Sequence, residues 1–144
     1  MRFLSALLLV LLPASAWSKP WPYKLEVTPI EGPVDQQVIA RYTPALDACK
    51  DKTTITNDIA LCYKAEFARQ DAALNATWAK TLARVAPVDR PSLRTAQRAW
   101  VKARDPFCTR VMKGFEGGTM AGLEWWDCRA ELSIRRAIWL ERVR

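Results

Sequence analysis

An all-α fold is predicted, a small three-helix antiparallel bundle with two disulfides and an extended, Pro-rich amino-terminal arm. Three features predict it: three apolar runs of helical period separated by Pro and Gly breaks, four Cys in a chain that begins with an export signal, and five prolines crowded between residues 17 and 44.

The first sixteen residues carry one early charge, Arg2, then an apolar run from Phe3 to Leu12, then Pro13 and the small residues Ala14, Ser15 and Ala16. That is the layout of a secretory signal peptide, 1–16, cleaved after Ala16. The run is about half the length of a membrane span, so no transmembrane segment is expected in the mature chain. No Cys follows the cleavage site to carry a lipid, and the expected location is periplasmic or secreted. The remaining residues suffice for one domain.

Residues 17–47 are expected to form the arm, because Pro20, Pro22, Pro29, Pro33 and Pro44 forbid a long helix. Lys24 to Ile30 alternates like one short strand, and Asp35 to Arg41 has room for a turn or two of helix. Trp17, Trp21 and Tyr23 make an aromatic start able to dock on a partner or saccharide, although exposed termini are more often simply disordered.

Residues 48–144 are expected to form the helical domain. Thr54, Thr56, Asn57 and Asp58 are capping residues, and apolar positions then recur at Ile59, Tyr63, Phe67, Leu74, Trp78, Leu82 and Val85. Pro87 and Pro91 break this first helix. A second run follows at Leu93, Ala96, Trp100, Phe107 and Val111, with Pro106 predicting a kink near Lys102 or an early end. Gly114, Gly117 and Gly118 then supply a turn and Thr119 a cap. The third helix shows Trp125, Cys128, Leu132, Ile138 and Trp139 roughly on one side. Arg135, Arg136, Arg142 and Arg144 fall near its end, where the backbone dipole favours cations.

Cys49, Cys62, Cys108 and Cys128 are even in number, which in an exported chain implies two disulfides. A metal site would expect closely spaced ligand pairs, and the chain has no His, so neither metal nor cofactor is expected. With the first helix ending near 85 and the second restarting near 92, level residues have numbers summing to about 177. Cys108 is then level with about residue 69, roughly two turns from Cys62. Spacing alone leaves three connectivities open; levels favour 49 with 62 and 108 with 128.

Several polar side chains sit on apolar faces: Glu66, Asp71, Asn75, Gln97 and Arg104, the last two in line with Trp100. They are expected to be buried or half-buried. Arg104 is level with about residue 73, within reach of Asp71 and Asn75, and a buried guanidinium needs such partners. A polar functional site is one reading. An internal network fixing helix register is favoured, because buried polar groups must be satisfied in any case. Catalysis has little support: His is absent, the Cys are expected to be oxidised, and basic partners would keep Glu66 and Asp71 ionised.

The formal net charge of +7 falls to about +6 once Arg2 leaves with the signal. Such charge favours anionic partners, although solvated Lys and Arg are the commoner reason. Apart from Arg135 and Arg136 the basic residues look scattered along the sequence. Nucleic acid is not expected in the exported compartment.

Particular residues carry a family resemblance. Thr43, Pro44, Ala45, Leu46, Asp47, Ala48 and Cys49, then Cys62, Glu66, Asp71, Leu74 and Asn75 begin it. Leu93, Arg94, Ala96, Gln97, Arg98, Trp100, Arg104, Asp105 and Cys108 follow, with Gly117, Gly118, Thr119, Cys128 and Arg136 completing it. Over roughly residues 43 to 140 this pattern resembles the LprI-type lysozyme-inhibitor family. The resemblance implies a secreted or periplasmic helical domain with paired cysteines, and a lysozyme as partner. Pro106 departs from the pattern, as does the missing lipidation Cys.

Two functions are therefore expected. In the first, a periplasmic binding protein inhibits lysozyme, its plug being the loop Phe115, Glu116, Gly117, Gly118 and Thr119, with Phe115 as apolar anchor and Glu116 as carboxylate. The simpler account of that loop is a tight glycine turn with no further role. In the second, a structural envelope protein associates through its basic surface with anionic lipid or polysaccharide. Long-range repulsion from basic lysozymes counts against the first.

Overall fold

Helix starts earlier than the proline content suggests. The computed structural model describes residues 33–144, and these form five helices: α1 (Pro33–Ile39), α2 (Pro44–Lys50), α3 (Thr56–Arg84), α4 (Arg90–Lys113) and α5 (Met120–Arg142). No strand occurs among the described residues. The turn or two of helix expected at Asp35 to Arg41 is present as α1, while α2 replaces extended chain from Pro44, and the three-helix count becomes three long helices plus two short ones. Pro33 and Pro44 each open a helix instead of forbidding it, because a first-turn residue needs no intrahelical N–H. The signal peptide 1–16, the rest of the arm and the strand expected at Lys24 to Ile30 lie outside the described residues.

α3 starts on a local cap: Thr53 Oγ1 accepts the Ile55 N–H at 3.1 Å and donates to Asp58 at 3.1 Å. It stops at Val85, whose extended backbone leads into the Pro87 break. α4 has Pro91 in its first turn and runs through Pro106 to Lys113 without the early end expected there. Pro106 is exposed, which leaves the unpaired Lys102 carbonyl accessible to water, and the next turn is tied down by Cys108. Thr119 occupies the N-cap of α5 but makes no side-chain cap bond.

Direction follows from which residues meet. α3 and α5 are parallel, since Thr81 bonds the Leu140 carbonyl and Phe67 packs on Trp126, each pair 59 positions apart. α4 is antiparallel to α5: Cys108 meets Cys128, Asp105 meets Arg129, Arg104 meets Ser133 and Gln97 meets Arg136. α5 packs along α3 on one side and α4 on another, and α1 crosses its far end. Near-total burial of 132–134, 136–138 and 140 reflects that central position.

Leu74, Val85, Leu93, Trp100, Leu132 and Leu140 form the main core with the Cys108–Cys128 bridge, and Val38, Ile134 and Ile138 a smaller one under α1. Each such Leu contributes about 2 kcal/mol through apolar burial. The second bridge joins Cys49 to Cys62 and fastens α2 to α3.

Candidate functional site

The end of the bundle at the α4–α5 turn is the most exposed part of the described chain. Residues 113–120 are all solvent-exposed, including Phe115 and Met120. The backbone there is nonetheless ordered by consecutive short turns: the amides of Gly114, Phe115, Glu116 and Gly118 each bond the carbonyl three residues back at 2.9 to 3.2 Å. Glu116 has φ 50° and Gly117 φ 76°. Gly117 accepts that conformation freely, whereas for Glu116 the left-handed backbone costs on the order of 1 kcal/mol. The Cys108–Cys128 bridge lies about two turns below and fixes both helix ends. The result is a braced loop carrying an apolar ring and a carboxylate into solvent.

The polar residues on the apolar faces resolve into three separate networks. In the first, Arg104 bridges all three long helices: Nη1 donates to Asp71 at 2.6 Å and to Ser133 at 3.3 Å, and Nε to Asp105 at 3.0 Å. Arg129 grips Asp105 with Nε and Nη2 at 3.0 and 3.1 Å while stacking 4.0 Å from the Phe67 ring and 4.4 Å from Trp125. Burial lowers the pKa of Arg129, with Asp105 opposing that effect. The aromatic cluster thus holds one of the chain's own guanidiniums.

Glu66 belongs to a second network, away from Arg104. Its carboxylate has no exposed surface and accepts the Thr43 N–H at 2.9 Å, the Thr43 hydroxyl at 2.6 Å, Gln70 at 2.7 Å and Arg69 at 2.9 Å. Gln70 also donates to the Arg41 carbonyl at 2.7 Å. Burial pushes the Glu66 pKa up, but these donors outweigh it and hold the carboxyl below the ordinary range. Because Thr43 is the N-cap of α2, Glu66 clamps the α1–α2 junction onto α3. In the third network Arg136 donates to Gln97 at 2.9 Å, with its guanidinium 4.0 Å from the Trp139 ring and 5.6 Å from Trp100.

Asn75 differs from expectation: it is exposed and only touches Asp71 at 3.4 Å. Arg136 is buried in the bundle rather than capping the end of α5. That end is capped instead by Arg84 of α3, which donates to the Leu140, Glu141 and Val143 carbonyls. Sequence reasoning missed Arg84 and Arg129, and it also missed Tyr42, which donates to Asp127 at 2.6 Å in a cleft of about 340 Å³ between α1, α2, α3 and α5. Burial raises the Asp127 pKa against that hydrogen bond and raises that of Tyr42 further still. No cluster of three metal-ligating side chains and no helix able to cross a membrane occurs among the described residues.

The sequence pattern of a family described as Lysozyme inhibitor LprI matches residues 49–140. The chain belongs to the LprI family. The match takes in both disulfides, all three networks except the Arg41 and Thr43 ends of the Glu66 clamp, and the braced loop. No curated protein and no solved structure matches the chain.

Proposed function

We propose that this LprI-family chain is an exported protein that inhibits a lysozyme by binding it, with residues 115–119 as the inserted segment. Family membership over residues 49–140 carries the reading, and the exposed loop supports it. A concave enzyme cleft is blocked by a convex, rigid projection. The described chain offers one at 115–119, ordered before binding, so little conformational entropy is lost on docking. Phe115 supplies the apolar anchor and Glu116 a charge opposite to that of a basic lysozyme. Glu66, Asp71, Gln97, Arg104 and Arg136 act in this reading as scaffold, since their hydrogen bonds are made to other side chains and backbone groups of the bundle.

The test is a lysozyme activity titration with the oxidised protein at physiological salt, against animal and bacterial-type enzymes. Stoichiometric inhibition is expected, lost on reduction of the disulfides. The double variant Phe115→Ala with Glu116→Ala should weaken inhibition by about 30-fold or more, the size of one binding hot spot, with an unchanged melting temperature. Absence of inhibition of every lysozyme class at high excess would refute the proposal.

A further inference from the structure

The basic residues that look scattered in the sequence are gathered by α4. At 100° per residue, Arg94, Arg98, Lys102, Arg110 and Lys113 fall within one half of the helix, opposite the buried line of Leu93, Gln97, Trp100, Arg104 and Cys108. All five are exposed, and none forms an ion pair among the described residues. The single acid of α4, Asp105, is held by two guanidiniums, Arg104 and Arg129, and subtracts nothing from the face. These five are among the 22 basic residues of the chain, against 15 acidic ones. They extend about 28 Å along the helix axis, with the first three one turn apart.

We propose that this face of α4 binds a hydrated, linear polyanion, a glycan bearing carboxylate or phosphate groups, and so tethers the protein while the 115–119 loop stays free at the bundle end. Charge complementarity selects an anionic partner. The apolar side of α4 is already spent on α5, and the basic face exposes Val101 as its one large apolar side chain, so it has nothing substantial to insert into a bilayer. A row of long, flexible cations over several turns suits a chain laid along the helix, each contact releasing a counterion. The tether does not depend on lysozyme inhibition and survives its failure.

The experiment measures binding of the full mature, oxidised protein to polygalacturonate and to phosphatidylglycerol vesicles across 20–300 mM salt. Five contacts predict a slope of log affinity against log salt of about −3.5, taking roughly 0.7 per cation for a flexible polyanion. The triple variant Arg94→Gln, Arg98→Gln, Lys102→Gln should flatten this to about −1.4 and weaken binding about tenfold or more at 50 mM salt. The control pair Lys64→Gln and Lys80→Gln, exposed on α3, should leave the slope within about one unit of wild type. Wild-type affinity in the triple variant, or an equal loss in the control, overturns the assignment to α4. Vesicle binding that persists at salt concentrations stripping the protein from polygalacturonate overturns the polymer and points to a membrane surface.

Discussion

Replacing Glu66 by Ala is the most searching perturbation of this scaffold. The carboxylate is wholly buried and takes four donors at 2.6 to 2.9 Å, from Thr43, Arg69 and Gln70. Deleting it strands the Thr43 amide in the interior, leaves Gln70 with only the Arg41 carbonyl to donate to, and leaves Arg69 without its ion pair. Hydrogen bonds to a charged group are worth about 1.5–3 kcal/mol each, but they are not additive, and breaking a buried pair typically costs about 3–5 kcal/mol. With a urea slope of about 1.5 kcal/mol per molar, the midpoint should fall by about 2–3 M. Glu66→Gln keeps the shape and one acceptor but turns an NH2 either toward the Thr43 amide and Gln70 or toward the Thr43 hydroxyl and Arg69, so it should cost about 2 kcal/mol, roughly half as much. The pH dependence has a definite sign. Glu66 has a lowered pKa when folded, so its contribution is present above the ordinary carboxylate range and lost as pH falls through the folded value. The Gln variant should lack that part of the acid destabilisation. A loss below about 1 kcal/mol for Glu66→Ala, or equal acid sensitivity in Glu66→Gln, would refute the clamp.

Asp127 should behave oppositely: its raised pKa means a contribution present at low pH and lost as pH rises through the folded value, so Asp127→Asn should match or exceed wild-type stability at neutral pH and lose that advantage in acid, checked by melting at pH 3 to 8. Glu116→Gly should leave stability unchanged or raise it by up to about 1 kcal/mol by relieving φ 50°, whereas Glu116→Val should lower it by about 1 kcal/mol, read from urea midpoints. Replacing Cys108 and Cys128 by Ser should cost about 3 kcal/mol for a bridge spanning 20 residues, and hydrogen exchange should show the 114–119 amides opening faster than in wild type.

The long helices were legible because their apolar period is unbroken between Pro and Gly stops, and helix levels placed Arg104 near Asp71, which lies at 2.6 Å. What escaped has a common cause. α2 was hidden by Pro44, whose meaning depends on whether it opens a helix or interrupts one, and the Glu66 acceptors that stabilise this start are 23 positions away. Arg129 and Arg84 occupy places on helix surfaces where a cation looks solvated; only the crossing of helices shows that one lies over Phe67 and Trp125 and the other over the carbonyl end of α5. Asn75 erred in the other direction, since flanking an apolar position on a helix does not place a residue on the buried side. The basic face of α4 was present in the 3.6-residue period, but attention to charge runs along the sequence overlooked a pattern written around the helix.

The parallel arrangement of α3 and α5 connects scaffold to function. Two parallel neighbours cannot be joined by a short turn, so α4 must run the length of the bundle back to the starting end before α5 begins. Its outer side therefore has no helical neighbour among the described residues and is available for charge, while its turn into α5 is left projecting from one end. Both proposed surfaces follow from that one topological requirement, yet they occupy different places: the basic residues lie along the outer side of α4 and Phe115 lies in the turn at the bundle end. A polyanion on α4 would then leave inhibition intact, and the triple α4 variant should inhibit lysozyme with wild-type stoichiometry at physiological salt. If neutralising α4 instead abolished inhibition along with polyanion binding, the two surfaces would be one, and the loop could not be acting as an independent plug.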